Sequence, residues 1–189
     1  YQINLAIAGI AVGTVSLPIL SQAFKEKNLK KISNIQSKSI KLCLLLSIPA
    51  SLGLIIGSEE IVNALFGYGS FTIEDVNMTA KALEFFGYGI PAFALVKILS
   101  NFFFARNNTK IPFYISLLIV VINVSISLIF FKKIGFIIIP IATSLSTWVG
   151  VFLYAILLIS KKFLHLDKSL FNNIFKIVLM SILMSCILI

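Results

Sequence analysis

The chain has 189 residues, is 59% hydrophobic by count and has a mean hydropathy of +1.04. Soluble domains carry about 45–50% apolar residues, so the composition excludes an ordinary soluble enzyme or binding module. The formal net charge of +9 comes from basic residues lying between apolar segments, which makes them topology determinants rather than a nucleic-acid footprint.

Six segments approach the roughly 20 residues a bilayer crossing needs. The expected fold is therefore an all-α integral membrane protein, a polytopic bundle of six transmembrane helices. The first residues at Tyr1 already read as helix interior, and Cys186-Ile-Leu-Ile189 has no polar flank. Both features predict a piece of a longer protein.

Span one covers about Ile3 to Ala23. Gln2, Ala6, Gly9, Gly13 and Ser16 recur at spacings of three and four and should form one stripe. Gly9 and Gly13 make a GxxxG, which lets another helix approach closely. Gln2 and Asn4 are polar at membrane depth and need partners or a water-filled cavity, so both are candidates for a substrate path. Pro18 should bend the helix.

Residues 24–39 read as a basic cytoplasmic loop, with Lys25, Lys27, Lys30, Lys31 and Lys38 against Glu26. The pattern from Leu29 to Ile35 suits a short amphipathic helix on the membrane surface. Residues 40–189 should hold five further spans. Span two, Ile40 to Ile56, carries Pro49. The connection after it, Gly57 to Thr79, is acidic and falls on the opposite side. There Ser58 is expected to cap a short helix that Gly67 ends, and Thr72 with Asp75 has capping-box spacing.

Span three runs from Thr72 to just before Arg106 and reads as a helix broken around Gly87, Gly89 and Pro91. Lys97 lies nine residues before Arg106, on the order of 13 Å along the axis. Two readings stay open for it, snorkelling or pairing on one hand and lining a substrate path on the other. Thr109 is expected to cap span four, Phe113 to Phe131. Span five, Phe136 to Ser160, carries Pro140 in its apolar stretch. Span six starts near Asn172. Pro18, Pro49, Pro91 and Pro140 together suggest a bundle that bends between states.

Asn123 and Ser127 share a face of span four, and Ile139 and Thr143 share one on span five across a short turn. Their oxygens could hold a monovalent cation or simply hydrogen-bond the two helices together. Cys43 and Cys186 lie in apolar spans without metal-ligand spacing, and His165 stands alone in a short loop. No metal site, paired catalytic carboxylates, Ser-His-Asp set or phosphate loop is present, so an enzyme is not expected.

Several stretches together resemble the MurJ/MviN lipid II flippases of the MATE-like superfamily. They are Gly9-Ile-Ala-Val-Gly-Thr-Val-Ser-Leu-Pro-Ile-Leu-Ser21, Leu65-Phe-Gly-Tyr-Gly-Ser-Phe-Thr72, Gly89-Ile-Pro-Ala-Phe-Ala-Leu-Val-Lys97, Ala105-Arg-Asn-Asn-Thr-Lys-Ile-Pro112 and Ile141-Ala-Thr-Ser-Leu-Ser-Thr-Trp148. The resemblance implies the C-terminal portion of a fourteen-helix protein of the bacterial inner membrane, its eighth to thirteenth helices. It implies that lipid II, an undecaprenyl-pyrophosphate-linked peptidoglycan precursor, moves outward by alternating access through a cationic cavity. Span one would line that cavity, and the remaining spans would form the C-terminal lobe. The family's arginine at the start of the eighth helix would fall just before Tyr1.

Some members carry a cation-binding pattern at Asn123, Ser127, Ile139 and Thr143, with aspartate where this chain has Ser127. No cofactor is expected; coupling to a monovalent cation or to the membrane potential stays open, and the missing carboxylate weighs against the cation at this site. The expected partners are lipid II, membrane lipids and cell-wall synthesis proteins, with no nucleic acid. A polysaccharide-lipid or drug exporter of the same superfamily and a non-transporting scaffold for cell-wall synthesis are the alternatives.

Overall fold

The computed structural model describes residues 2–164 and 168–188, without the side chains of Asn4, Lys168, Ser169 and Leu188. His165 lies outside the described residues. Every element among them is helical: α1 (Gln2–Leu5), a π-helical turn (Ala6–Ala11), α2 (Val12–Lys25), α3 (Leu29–Ile56), α4 (Ser58–Phe66), α5 (Ile73–Phe104), α6 (Lys110–Ile134), a 3-10 turn (Gly135–Ile137), α7 (Ile138–Ser160) and α8 (Lys168–Leu188).

Apolar stretches long enough to cross a membrane run over Ala6–Lys25, Leu29–Ile56, Ile73–Phe104, Lys110–Ser160 and Leu170–Ile187. The fourth has 51 residues and would extend about 75 Å as a straight helix, far more than a bilayer. It is two crossings. Gly135, at φ 76°, occupies the left-handed region that favours glycine, and the chain reverses there so that α6 packs along α7. Six spanning helices result.

The helices gather around α5. Its buried residues Ala92, Ala94, Ile98, Leu99, Phe102 and Phe103 pack with Leu20, Cys43, Tyr154 and Leu158 into one core. A smaller cluster of Val62, Val76 and Ala80 seats α4 on the outer end of α5. α6 is the exception. Leu117, Val121, Val124 and Leu128 are exposed along it, as expected of a helix with lipid on most sides.

The first span is not one regular helix. Gly9, Gly13 and Ser16 are buried, whereas Gln2 and Ala6 are exposed. The π turn between them carries wider i→i+5 bonding and rotates the earlier residues out of register, by about 100° per inserted residue. The single stripe expected from Gln2 to Ser16 is thus split in two.

The expected basic loop at 24–39 is also corrected. Only residues 26–28 lie outside helix, with Lys27 at φ 53°. Asn28 then caps α3, its side chain accepting from the Lys31 amide at 3.0 Å. From there the expected surface helix and span two form a single helix of 28 residues, because Ile32, Gln36, Ser39 and Ile40 bury one continuous face. Lys31 reaches back to Glu26 at 2.9 Å, the only ion pair among the described residues. Lys31 donates that hydrogen bond, which holds the exposed Glu26 carboxyl below its ordinary range.

Three caps differ from expectation. Ser58 is the first residue of α4 rather than its cap, and its hydroxyl turns back to the Ile55 carbonyl at 3.5 Å. Thr109 makes no capping bond; Asn108 accepts from the Ile111 amide instead, at 3.3 Å. Gly67 does end α4, though at φ −72°. The Thr72–Asp75 capping box is formed as expected, with both reciprocal bonds present.

Candidate functional site

Prolines in a spanning helix leave a carbonyl four residues earlier without its amide partner. Pro18, Pro49 and Pro91 lie inside helices, whereas Pro140 sits in the first turn of α7. There its missing N–H would have had no helical acceptor, so Pro140 does not break the helix. α5 likewise runs unbroken through Gly87, Gly89 and Pro91. Neighbouring helices supply donors along this region. Ser51 Oγ on α3 donates to the Gly87 carbonyl at 2.7 Å, and from α7 Ser144 Oγ donates to Phe85 and Trp148 Nε1 to Tyr88, at 2.7 and 3.1 Å.

The GxxxG of the first span meets α5. A Cβ on Gly9 would stand 3.1 Å from the Ala94 Cα, and one on Gly13 would stand 2.8 Å from Asn101 Nδ2. That amide donates to the Gly13 carbonyl at 2.9 Å. Lys97 is exposed, one turn before Asn101, and no described carboxylate lies within ion-pair distance of it. Gln2, at the start of the first span, is exposed as well. The Asn4 side chain lies outside the described residues.

The four residues singled out on α6 and α7 do come together. Ser127 Oγ donates to Asn123 Oδ1 at 3.4 Å, Asn123 Nδ2 to Thr143 Oγ1 at 2.9 Å, and Thr143 Oγ1 to the Ile139 carbonyl at 2.7 Å. The chain of bonds satisfies itself with protein donors. A cation at these oxygens would have to displace them and would find no carboxylate.

Arg106 has a role that sequence reading missed, having treated it as a topology charge. Its guanidinium lies 4.1 Å from the ring centroids of both Phe24 and Phe163. It donates to the Phe102 and Phe163 carbonyls at 2.9 and 2.8 Å, and Gln36 Nε2 donates to the same Phe163 oxygen at 2.9 Å. The ends of α2 and α5, the first third of α3 and the segment just after α7 are thereby tied at one point. Burial pushes the Arg106 pKa down to about 10, still charged at neutral pH. The partners are 57 to 127 residues apart in sequence, so no local pattern announces them.

A groove of about 590 Å³ runs between α2 and α3, lined by Ile7, Val15, Ile19, Leu42 and Leu46, with Ser16, Lys38 and Ser39 also at its walls. Apolar walls of this kind suit a lipid chain rather than a polar solute.

Close-packed small-residue contacts and proline-bearing apolar spans within one bundle define a multi-pass helical membrane protein. Comparison with known proteins makes this specific. The family model described as lipid II flippase MurJ matches residues 1–189, and the chain belongs to that family.

It is 35% identical over 188 residues to the probable lipid II flippase MurJ of Rickettsia prowazekii, covering 100% of this chain and 37% of the relative. The corresponding protein of Thermotoga maritima is 37% identical over 189 residues, again covering 100% of this chain and 37% of the relative. A solved structure of lipid II flippase MurJ in an inward closed conformation superposes with a TM-score of 0.84. It is 29% identical and covers 99% of this chain and 38% of that one. The chain thus spans a little over a third of the length of these relatives.

Proposed function

We infer that the chain is part of a lipid II flippase, which carries the lipid-linked peptidoglycan precursor across the bacterial inner membrane by alternating access. The observation that carries this reading is the match of the family model along residues 1–189. The first span, held to α5 through Gly9 and Gly13, contributes cavity wall, and residues 40–189 form the rest of the C-terminal lobe. Lys97, Gln2 and Asn4 border the substrate path. The apolar α2–α3 groove is suited to the polyprenyl tail.

The protein moves its substrate without making or breaking covalent bonds, so it is a transporter and not an enzyme. In this reading no organic cofactor takes part, and the energy comes from the membrane potential or a monovalent cation. Because the Asn123–Thr143 cluster is neutral, the potential acting on the protein's own cations is the favoured source. Membrane lipids surround the bundle, and cell-wall synthesis proteins are its further partners.

Depletion of the full-length protein in a cell with no second flippase should block exposure of the lipid-linked precursor on the outer leaflet. Unchanged exposure sinks the reading. Rescue by a polysaccharide-lipid exporter but not by a known lipid II flippase would move the protein to that neighbouring function.

A further inference from the structure

α3 and α8 run side by side in the same direction and leave a groove along their outer seam. On α3 the positions 30, 34, 38, 41, 45 and 49 follow steps of three and four and therefore share one face, with Ser37 at its side. Along that face the chemistry changes. Lys30, Asn34, Lys38 and Lys41 line the first half, opposite Asn173 of α8, around a cavity of about 480 Å³. Lys41 and Asn173 continue into an adjoining cavity of about 420 Å³, lined by Lys176 and then by Leu45, Pro49, Ile177 and Met180.

Among the described residues no carboxylate lines either cavity, and Lys30, Lys38, Lys41 and Lys176 are all exposed. Ser37, whose hydroxyl is buried and without a hydrogen-bond partner among the described residues, borders the basic end. A serine hydroxyl there can donate to an acceptor oxygen that the protein does not provide.

We propose that this seam is a binding site for an anionic phospholipid of the surrounding membrane, with its phosphate among Lys30, Lys41 and Lys176 and an acyl chain along Leu45, Ile177 and Met180. Charge at one end and apolar side chains at the other match the two halves of such a molecule, in the order in which a bilayer presents them. A free phosphate would use only the first half. The site is separate from the α2–α5 contact that carries Lys97, and it holds whether or not the lobe transports lipid II.

Native mass spectrometry of the full-length protein, offered equal amounts of phosphatidylglycerol and phosphatidylcholine with identical chains, tests the assignment. The native protein should retain phosphatidylglycerol preferentially. Each of Lys30→Gln, Lys41→Gln and Lys176→Gln should lower that preference about fivefold. Lys38 is left in place because it also lines the α2–α3 groove. Because the three lysines are exposed, these single substitutions leave the fold intact.

Met180→Asn should weaken retention of both lipids while leaving their ratio unchanged. An unaltered phosphatidylglycerol preference in the lysine variants overturns the proposal, as would follow if another segment of the full-length chain fills the seam. So does displacement of the lipid by millimolar inorganic phosphate, which would make the site one for free phosphate.

Discussion

Ser51 on α3 donates its hydroxyl hydrogen to the Gly87 carbonyl of α5 at 2.7 Å, and that carbonyl is the one Pro91 leaves without a helical amide. The proline and the serine are one device built from two helices. It is what allows α5 to pass proline through the bundle as a continuous helix. Ser51→Ala should therefore destabilise the protein by about 1–2 kcal/mol, since it strands a buried acceptor. One helical turn away, Ser47 is 0% exposed and its hydroxyl has no partner among the described residues, so Ser47→Ala should be neutral or stabilising. Thermal unfolding in detergent compares the two. Equal losses would show that the Ser51 bond contributes nothing of its own.

The glycines of the first span can be weighed in the same way. A Cβ at Gly13 would press on Asn101 Nδ2 at 2.8 Å, whereas one at Gly53 meets nothing within 4 Å. Gly13→Ala should cost about 1–3 kcal/mol through overpacking and through loss of the Asn101 bond. Gly53→Ala should be tolerated, with a gain of a few tenths of a kcal/mol up to about 1 from helix propensity. Melting temperatures of the two variants decide the point, and a Gly13→Ala protein as stable as the parent would overturn the close-contact reading.

Arg106 should be irreplaceable by lysine. A lysine retains the charge but cannot lie flat between Phe24 and Phe163 while donating to the two carbonyls. Arg106→Lys should lose about 1–2 kcal/mol, with Phe24→Leu losing part of the same amount non-additively. The pH dependence has a definite sign. With the folded pKa lowered to about 10 against an ordinary 12.5, the unfolded chain binds more protons only above about 10. The cost of burying the charge is thus constant through neutral pH and is relieved, raising stability, as pH climbs past 10. Between pH 6 and 9 the stability difference between the native and Arg106→Gln proteins should be flat, because the neutral replacement leaves Arg106 as the one group whose titration differs, and a slope there would contradict the assignment.

Much of the fold was legible because bilayer crossing imposes its own length and polarity on a sequence. The spans and the Thr72–Asp75 box followed from local pattern alone. What failed to show was long-range or cooperative. The π turn at Ala6–Ala11 has no sequence marker, and it divided a stripe that ideal periodicity had joined. Lys30 to Lys38 read as a basic loop with a short surface helix because charge was counted, while the buried face from Ile32 to Ile40 joins the stretch to span two as one helix. The Arg106 clamp joins residues from four elements. At the α6–α7 pair the sequence brought Asn123, Ser127, Ile139 and Thr143 together correctly, yet only their bonding directions reveal that the group is already satisfied.

That self-satisfied cluster makes a prediction about ions. With no carboxylate, the native protein should melt at the same temperature in sodium chloride and in choline chloride of equal ionic strength. Ser127→Asp places a carboxylate beside Asn123 Oδ1 and the Ile139 carbonyl, and should introduce a sodium-dependent rise in melting temperature. A sodium effect on the native protein would show that neutral oxygens suffice.

Lys97 offers the sharpest division between a structural and a transport role. It is exposed on α5, one turn from the Asn101–Gly13 contact, and no ion pair among the described residues neutralises it. A cation held unpaired at membrane depth is costly, and an anionic substrate passing near it would gain from a low local dielectric. If Lys97 borders the path, Lys97→Gln should reduce transport about tenfold or more while leaving stability unchanged or higher. Lys97→Arg, which keeps the charge, should retain most activity. If instead the lysine only snorkels to anchor the helix, Lys97→Gln would lower the melting temperature and leave the transport rate per folded molecule intact. Measuring both quantities on the same full-length preparations separates the two roles, because the path model moves rate without stability and the anchor model moves stability without rate.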